Sequence, residues 1–415
     1  MFGQERLNEP RPLTHPGLKS LVDSPVDLQD IPIADYPLDP PWSTWSAAND
    51  LSKQPVYDPA GIYDLVRPAH GIVQTLEEGE HEYEGVVASE RDLLYGPVVN
   101  RSPIDLSRPD GMAPAGVFGD HTLNTGGRIL LAYRFNTMDF SGLRDGTHRV
   151  SSATTLKSFP LAPTHETAQT DYFTFEYGPT DDLTFMVTLP IVLRNIRYVD
   201  GGGNQQLTDI TDLYDISMYA NYVVCRWDRQ QVHLNMGLRI PTGIFDELDQ
   251  LPPSPTSPAL TYPMRTSDGT YDFLPGITYR GQSDYWTWGA QALGTVRFGI
   301  NKYGYRLGDD ATLNGWISRR LTDWVSSSVR LNATWWGNIY GADQRLNPNL
   351  VPTNRTDLQA GERLEVLFGL NFVVPDGFLQ NQRFSVEGGI PIYQNLAGPQ
   401  LQQTYDLWAN LTIQY

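Results

Sequence analysis

The sequence is poor in cysteine, in basic charge and in long apolar runs, and each shortage removes a class of protein. A single cysteine, Cys225, stands in 415 residues, so an internal disulfide and a zinc–thiolate cluster are both excluded. Lys and Arg number 30 against 48 Asp and Glu, a formal net charge of -18. A phosphate backbone needs a basic surface, so nucleic acid is not an expected partner. No stretch approaches the ~20 apolar residues a membrane helix requires, and mean hydropathy is -0.36. That excludes a helical membrane protein but not a barrel, whose polar lumen-facing half lowers the average. Motifs of catalysis are missing too: there is no G-x-S-x-G, no H-E-x-x-H, no P-loop and no C-x-x-C. No enzyme and no cofactor are expected. The start, Met1-Phe2-Gly3-Gln4-Glu5-Arg6, has no basic segment followed by an apolar core. For an exported chain the expectation is a leader cleaved ahead of Met1, or a start assigned too late.

What the sequence does have is alternation. At the carboxyl end Tyr405, Leu407, Ala409, Leu411, Ile413 and Tyr415 alternate with Asp406, Trp408, Asn410, Thr412 and Gln414, which is the signature of a strand with two unlike faces. The same period recurs from residue 126 onward. It predicts strands at about 126–140, 168–178, 182–198, 213–226, 231–240, 272–281, 284–301, 309–320, 323–338, 361–374, 381–392 and 401–415. Twelve is an even number, as a single-chain bacterial barrel requires. Aromatics make up 11% of the chain, including 22 Tyr and 10 Trp, the residues a barrel places at its two interfaces.

The links sort by parity. Even-numbered strands end in tight turns such as 178–181, 227–230, 281–283, 321–322 and 375–377. Odd-numbered strands lead into longer segments at about 141–167, 199–212, 241–271, 302–308, 339–360 and 393–400. Long loops on one rim and short turns on the other are the asymmetry of an outer-membrane barrel, and both termini fall on the short-turn, periplasmic rim. A soluble sandwich has no reason to sort its loops this way.

Residues 1–115 are different material. Proline recurs from Pro10 to Pro114, and acidic residues cluster at Glu77, Glu78, Glu80, Glu82 and Glu84. Proline at this density forbids continuous helix and central strand. Interspersed aromatics (Tyr36, Trp42, Trp45, Tyr57, Tyr63, Tyr95) are more than a solvated linker carries. The reading is an extended arm that docks on the barrel's own end, its lumen or a partner.

Alternation also assigns an interior. Arg134, Arg194, Arg239, Arg280, Arg297, Arg330, Arg363 and Arg383 fall on the inward face with His233, against Glu176, Glu365 and Glu387, so the lumen reads as net basic. Either these arginines line an anion-preferring channel, or they pair with the glutamates and the acidic arm so that the barrel is closed. His165-Glu166 is placed in a long loop as a solvated pair. Acidic loop segments (Asp209, Asp212, Asp215; Asp246, Glu247, Asp249; Asp309, Asp310) are read as solvated, with a bound divalent cation as the alternative.

Several segments carry a resemblance. They are Gly116-Val117-Phe118-Gly119-Asp120-His121, Arg144-Asp145-Gly146-Thr147-His148-Arg149-Val150, Tyr262-Pro263-Met264 through Gly269-Thr270-Tyr271-Asp272-Phe273-Leu274-Pro275-Gly276, Trp286-Thr287-Trp288-Gly289-Ala290-Gln291 and Gly304-Tyr305-Arg306-Leu307-Gly308-Asp309. In these, residues 116–415 resemble the MetA-pathway-of-phenol-degradation (transporter-like) outer-membrane β-barrel family. The resemblance implies a barrel with a transport role and does not reach the arm. Some relatives carry Met- and His-rich segments suggestive of copper; here only Met138 and His121 stand in that region, so no metal role follows. The expectation is therefore an all-β, twelve-stranded antiparallel transmembrane barrel (116–415) with a Pro-rich, mostly irregular extension (1–115). It would lie in the bacterial outer membrane, in contact with its lipid, as a passive route for small solutes. The alternative is an anchor subunit whose arm binds an envelope complex.

Overall fold

The computed structural model describes residues 103–123, 126–244 and 259–414, all within the compact unit Ala88–Tyr415. Fifteen strands occur in order: β1 (Arg128–Gly146), β2 (His148–Val150), β3 (Leu161–Gly178), β4 (Leu183–Asp200), β5 (Gln205–Leu213), β6 (Ile216–Trp227), β7 (Gln230–Ile240), β8 (Tyr271–Gln282), β9 (Trp286–Phe298), β10 (Tyr305–Arg306), β11 (Asp310–Arg320), β12 (Val325–Trp336), β13 (Tyr340–Gly341), β14 (Gly361–Val373) and β15 (Arg383–Gln414). One four-residue helix, α1 (Ser152–Thr155), and two 3-10 turns are the helical elements among the described residues.

Each ring strand pairs antiparallel with its neighbours, and β15 returns to pair with β1, so the sheet closes. Of its thirteen strands, β2 and β5 lie off the ring, which leaves a closed antiparallel barrel of eleven strand elements. The expected eleventh and twelfth strands, with a loop at 393–400 between them, are one continuous element of 32 residues. Its first part pairs with β14 (Val373↔Arg383 through Gly361↔Leu396) and its second with β1 (Gly146↔Leu396 through Leu130↔Gln414). Two other boundaries move. The expected fourth strand splits, with β5 lying against the upper part of β4 and β6 carrying the ring onward. And β3 begins at Leu161, so His165 and Glu166 stand on a strand, with Glu166 inside.

The usual partition of side chains is inverted. Phe368 is 61% exposed while Glu365, three residues along the same strand, is 1% exposed. Leu131, Phe173, Phe185, Met236, Ile277, Leu313, Leu331, Leu370, Phe384 and Leu407 continue the exposed apolar row round the ring. Between them Arg134, Thr174, Thr188, Asn221, His233, Thr278, Ser328, Asn371 and Ser385 are buried. An apolar surface this extensive is not made for water. Exposed aromatics gather where strands end: Trp227, Tyr285, Trp286 and Trp324 at the short turns, Tyr271, Phe298 and Trp335 at the long-loop ends. These are the two girdles of a membrane barrel.

The long-loop rim carries its own core. Leu260 and Met264 pack with Leu350, Val351, Leu161, Ile196 and Tyr198, and Tyr262 with Tyr305, Ile339 and Leu346. Arg265 ties this cap together, donating to Tyr305 Oη at 2.7 Å, to Leu260 O at 3.0 Å and to Asp343 Oδ2 at 2.9 Å. Asp209 is exposed on β5 as expected, whereas other acidic loop residues are held in the same way. Asp215 is buried and accepts from Gly243 N and Ser267 Oγ, both at 3.0 Å, and Asp310 pairs with Arg297 at 3.0 Å. Asp246, Glu247 and Asp249 lie outside the described residues. Among the described residues no group of three or more His, Cys, Asp or Glu is placed to hold a metal ion.

Candidate functional site: the occupied lumen

The segment 103–123 runs into the lumen from the short-turn rim, turns, and comes back to the rim to start β1. Its entry is fixed by Gln282, whose amide accepts from Asp105 N at 2.9 Å and donates to Asp105 O at 3.1 Å. Arg383, at the rim end of β15, donates to the carbonyls of Leu106, Arg108 and Pro109, each at 2.7 Å. Thr287, paired with Gln282 across the rim, donates to Asp110 at 2.8 Å, and deeper in Arg280 donates to Gly111 O at 2.5 Å. The return leg ends with Gln231 donating to Thr122 Oγ1 at 3.2 Å and Leu123 N to Thr184 Oγ1 at 2.8 Å.

The turn at the apex is the motif Gly116-Val117-Phe118-Gly119. Val117 N donates to Pro114 O at 3.0 Å, closing the bend. Gly116 N donates to Glu387 Oε2 at 2.9 Å, and a Cβ there would stand 2.3 Å from Arg330 Nη2. Gly119 has φ +61, a conformation that favours glycine. Its carbonyl accepts from His233 Nε2 at 2.9 Å and Asn235 Nδ2 at 2.7 Å. Phe118 is the tip. Its ring meets Tyr172 and Trp408 edge-on at 5.0 and 5.9 Å, and the Arg134 guanidinium lies 4.2 Å from its centroid.

His121, next along, sits between two carboxylates: Nδ1 is 2.8 Å from Asp120 and Nε2 3.2 Å from Glu176. Both ring nitrogens face acceptors, an arrangement suited to the doubly protonated ring. Burial alone would lower its pKa, but Asp120 and Glu176 outweigh this and raise it from 6.5 to about 9. For Asp120 burial works against ionisation, yet His121, Arg280 and the Ala113 amide hold its carboxyl well below the usual range. The signs follow from linkage. The raised histidine contributes seating free energy that is complete below about pH 6.5 and is lost as pH rises through about 9. The depressed aspartate contributes above its ordinary 3.8 and loses that contribution as pH falls below it. Protection of the 110–123 amides, taken as the exchange rate relative to the intrinsic rate at each pH, should therefore be greatest between those limits and fall toward pH 9. In a His121→Gln variant the alkaline step should disappear; a step unchanged by the substitution would assign it elsewhere.

The ten residues picked out by alternation lie on the inner wall and fall into two sets. Arg134, Glu176, His233, Arg330, Arg383 and Glu387 surround the inserted segment. Arg330 grips Glu387 with two bonds of 2.9 Å and adds Asn314 at 2.9 Å. Arg194, Arg239, Arg297 and Glu365 belong to the long-loop half. Arg194 lies 3.3 Å from Glu166 and Arg239 3.0 Å from Asp272. Arg297 lies 3.3 Å from Asp268, and Glu365 lies 3.3 Å from Arg363. The expectation of a net basic lumen missed the inward carboxylates Glu166, Asp272, Asp310 and Asp406, and Asp110 and Asp120 of the inserted segment. Asp406 shares the inward parity of Trp408 and Asn410, so that signal was present in the alternation. Glu166 was hidden by starting its strand too late.

Beyond Phe118, toward the long loops, lies a cavity of about 440 Å³ lined by Phe140, Glu166, Arg194, Tyr214, Trp336 and Arg363 among others. The lumen thus has a filled half and a half with room.

No protein-family model matches the sequence, and comparison with curated proteins finds no match. The resemblance to the MetA-pathway family accordingly rests on the quoted motifs alone. Among solved structures, the chain is similar to an outer membrane channel from Pseudomonas putida F1, with 13% identity and a TM-score of 0.49 over 72% of this chain and 99% of that one. It is also similar to a FadL homologue from Pseudomonas aeruginosa, with 11% identity and a TM-score of 0.34 over 76% and 98%. A third is the outer membrane protein OprD from Pseudomonas aeruginosa, with 8% identity and a TM-score of 0.28 over 71% and 96%. At this distance nothing those proteins do transfers to this chain.

Proposed function

We propose that the chain is a bacterial outer-membrane barrel acting as a passive channel for small solutes, its lumen obstructed on the short-turn side by residues 103–123. The observation that carries this is the pairing of an outward apolar surface with an inward polar one in a closed ring, because only hydrocarbon outside and hydrated groups inside satisfy both. We also read β15 as two spans. A closed ring in which every neighbour is antiparallel needs an even number of strands, and a 32-residue element would extend roughly 105 Å at ~3.3 Å per residue, several times a membrane's thickness. Gly398, with φ +93, lies between the halves. Twelve spans result.

Planar-bilayer recording tests the channel: discrete ion conductance from the folded chain is expected, and a silent bilayer with and without residues 1–123 would reject it. The membrane face has a separate test. Phe368→Arg puts a charge on the outward row and should cost about 2–4 kcal/mol if lipid wets that surface, read from urea unfolding in liposomes. A change under ~0.5 kcal/mol, normal for a surface residue in water, would remove the membrane from the picture. The reading of the arm as a docking device is left with residues 1–102, which lie outside the described residues. Residues 103–115 have their partners inside the barrel.

A further inference from the structure

The cavity above Phe118 is built with a sign. Four arginines line it (Arg194, Arg265, Arg297 and Arg363) against two carboxylates, Glu166 and Asp310. The other acids that balance these arginines stand outside the lining: Asp343 beside Arg265, Asp268 beside Arg297 and Glu365 beside Arg363. The guanidinium groups are therefore the charges presented to the space, with part of their compensation behind the wall. Three of the four are already committed. Arg194 donates to Pro263 O and lies against Glu166. Arg265 holds the loop cap. Arg297 is taken by Gly308 O, Asp268 and Asp310.

Arg363 differs. Among the described residues its terminal guanidinium nitrogens make no hydrogen bond, and its buried Nε only faces Glu365 Oε2. Its neighbour Glu365, 3.3 Å away, already accepts from Asn332 at 2.9 Å and from Gln403. The guanidinium carbon lies 5.6 Å from the Trp336 ring centroid, and the Trp336 indole is itself held by Gln359 O at 2.7 Å. Ile339, Leu358, Leu396 and Leu401 complete an apolar side to the same space. A forked donor with bonding capacity left, next to an aromatic plane and an aliphatic wall, matches a ligand with a carboxylate at one end and a hydrocarbon body.

We propose that this cavity is a solute-binding station for small organic monocarboxylates, with Arg363 receiving the carboxylate and Trp336 and the aliphatic wall receiving the body. The assignment rests on the channel reading for its purpose but not for its chemistry, so the two can fail separately.

Calorimetric titration of the detergent-folded full chain at pH 8 tests it, with hexanoate, hexylamine and hexanol as probes. Hexanoate should bind, hexylamine should not, and hexanol should bind more weakly than hexanoate. Arg363→Gln should weaken hexanoate by about tenfold or more, while Arg363→Lys, keeping the charge without the fork, should fall between. Arg319→Gln, on the outer face of the opposite rim, should leave hexanoate unchanged, and the heat-induced gel shift of each variant shows that its barrel has folded. Hexylamine binding as well as hexanoate, Arg363→Gln within twofold of the parent, or no hexanoate uptake by the parent would each overturn the proposal. A chain that conducts ions but ignores hexanoate loses the station and keeps the channel. One that binds hexanoate but never conducts keeps the station and loses the channel.

Discussion

Valine at both Gly116 and Gly119 is expected to unseat the inserted segment and raise single-channel conductance several-fold. At Gly116 a Cβ would fall 2.3 Å from Arg330 Nη2 and 3.0 Å from both Glu387 Oε2 and Trp408 Nε1. Arg330 cannot swing aside cheaply, because the atom in the way is one of the two that hold Glu387. At Gly119 the φ of +61 costs a β-branched residue about 1–2 kcal/mol or more, and its Cβ would press within 3.0 Å of Asn235 Nδ2. Ring strands are untouched by either change, so the barrel itself should fold. The measurement is bilayer conductance, with protease cutting near residues 105–120 as an independent sign of release. Conductance equal to the parent's, with the segment still protected, would contradict the seating described above.

Removing Arg330 should have the largest effect on stability. The pair with Glu387 joins β12 to β15, with side chains 3% and 0% exposed, and Glu387 also receives the apex amide of Gly116. Arg330→Ala strands a buried carboxylate, a change that costs about 3–5 kcal/mol. Arg330→Met with Glu387→Leu removes both charges and should recover most of the loss, since a buried pair is worth little against apolar groups of similar volume. Urea unfolding of the parent and the two variants separates the cases. Similar losses in the single and double variants would mean that the packing, and not the charge, matters here.

The fold was legible wherever hydrocarbon and water impose alternation. Leu183 through Leu193, Val232 through Ile240 and Tyr405 through Ile413 each repeat every second residue, and nothing but a two-faced strand explains such a period. The turns expected from composition at 178–181 and 281–283 fall within two residues of the observed links at 179–182 and 283–285. The join within β15 was not, because the sequence between Tyr393 and Gln400 keeps pairing through what looks like a loop. Strand β5 was missed because its acidic residues, Asp209 and Asp212, suggested solvent, whereas it lies above the apolar stretch of β4.

The site was half legible. Alternation can say that Arg330, His233 and Glu387 point inward; it says nothing of what they meet. Their partners are backbone atoms of an irregular segment, and main-chain carbonyls leave no pattern in a sequence. The motif Gly116-Val117-Phe118-Gly119 did stand out as a resemblance. Its physical content, two glycines that let the backbone approach a crowded wall, needed the wall in place.

The obstruction in this lumen is covalently continuous with β1, from which Leu123 is parted by four residues. An untethered blocker that left would have to be found again by diffusion, at a rate set by its concentration. Here the local concentration of the blocker is fixed by the length of its leash, so reclosure is first-order and the same at any protein dose. Brief, repeated interruptions of current, with lifetimes indifferent to how much protein is added, are what such a leash produces.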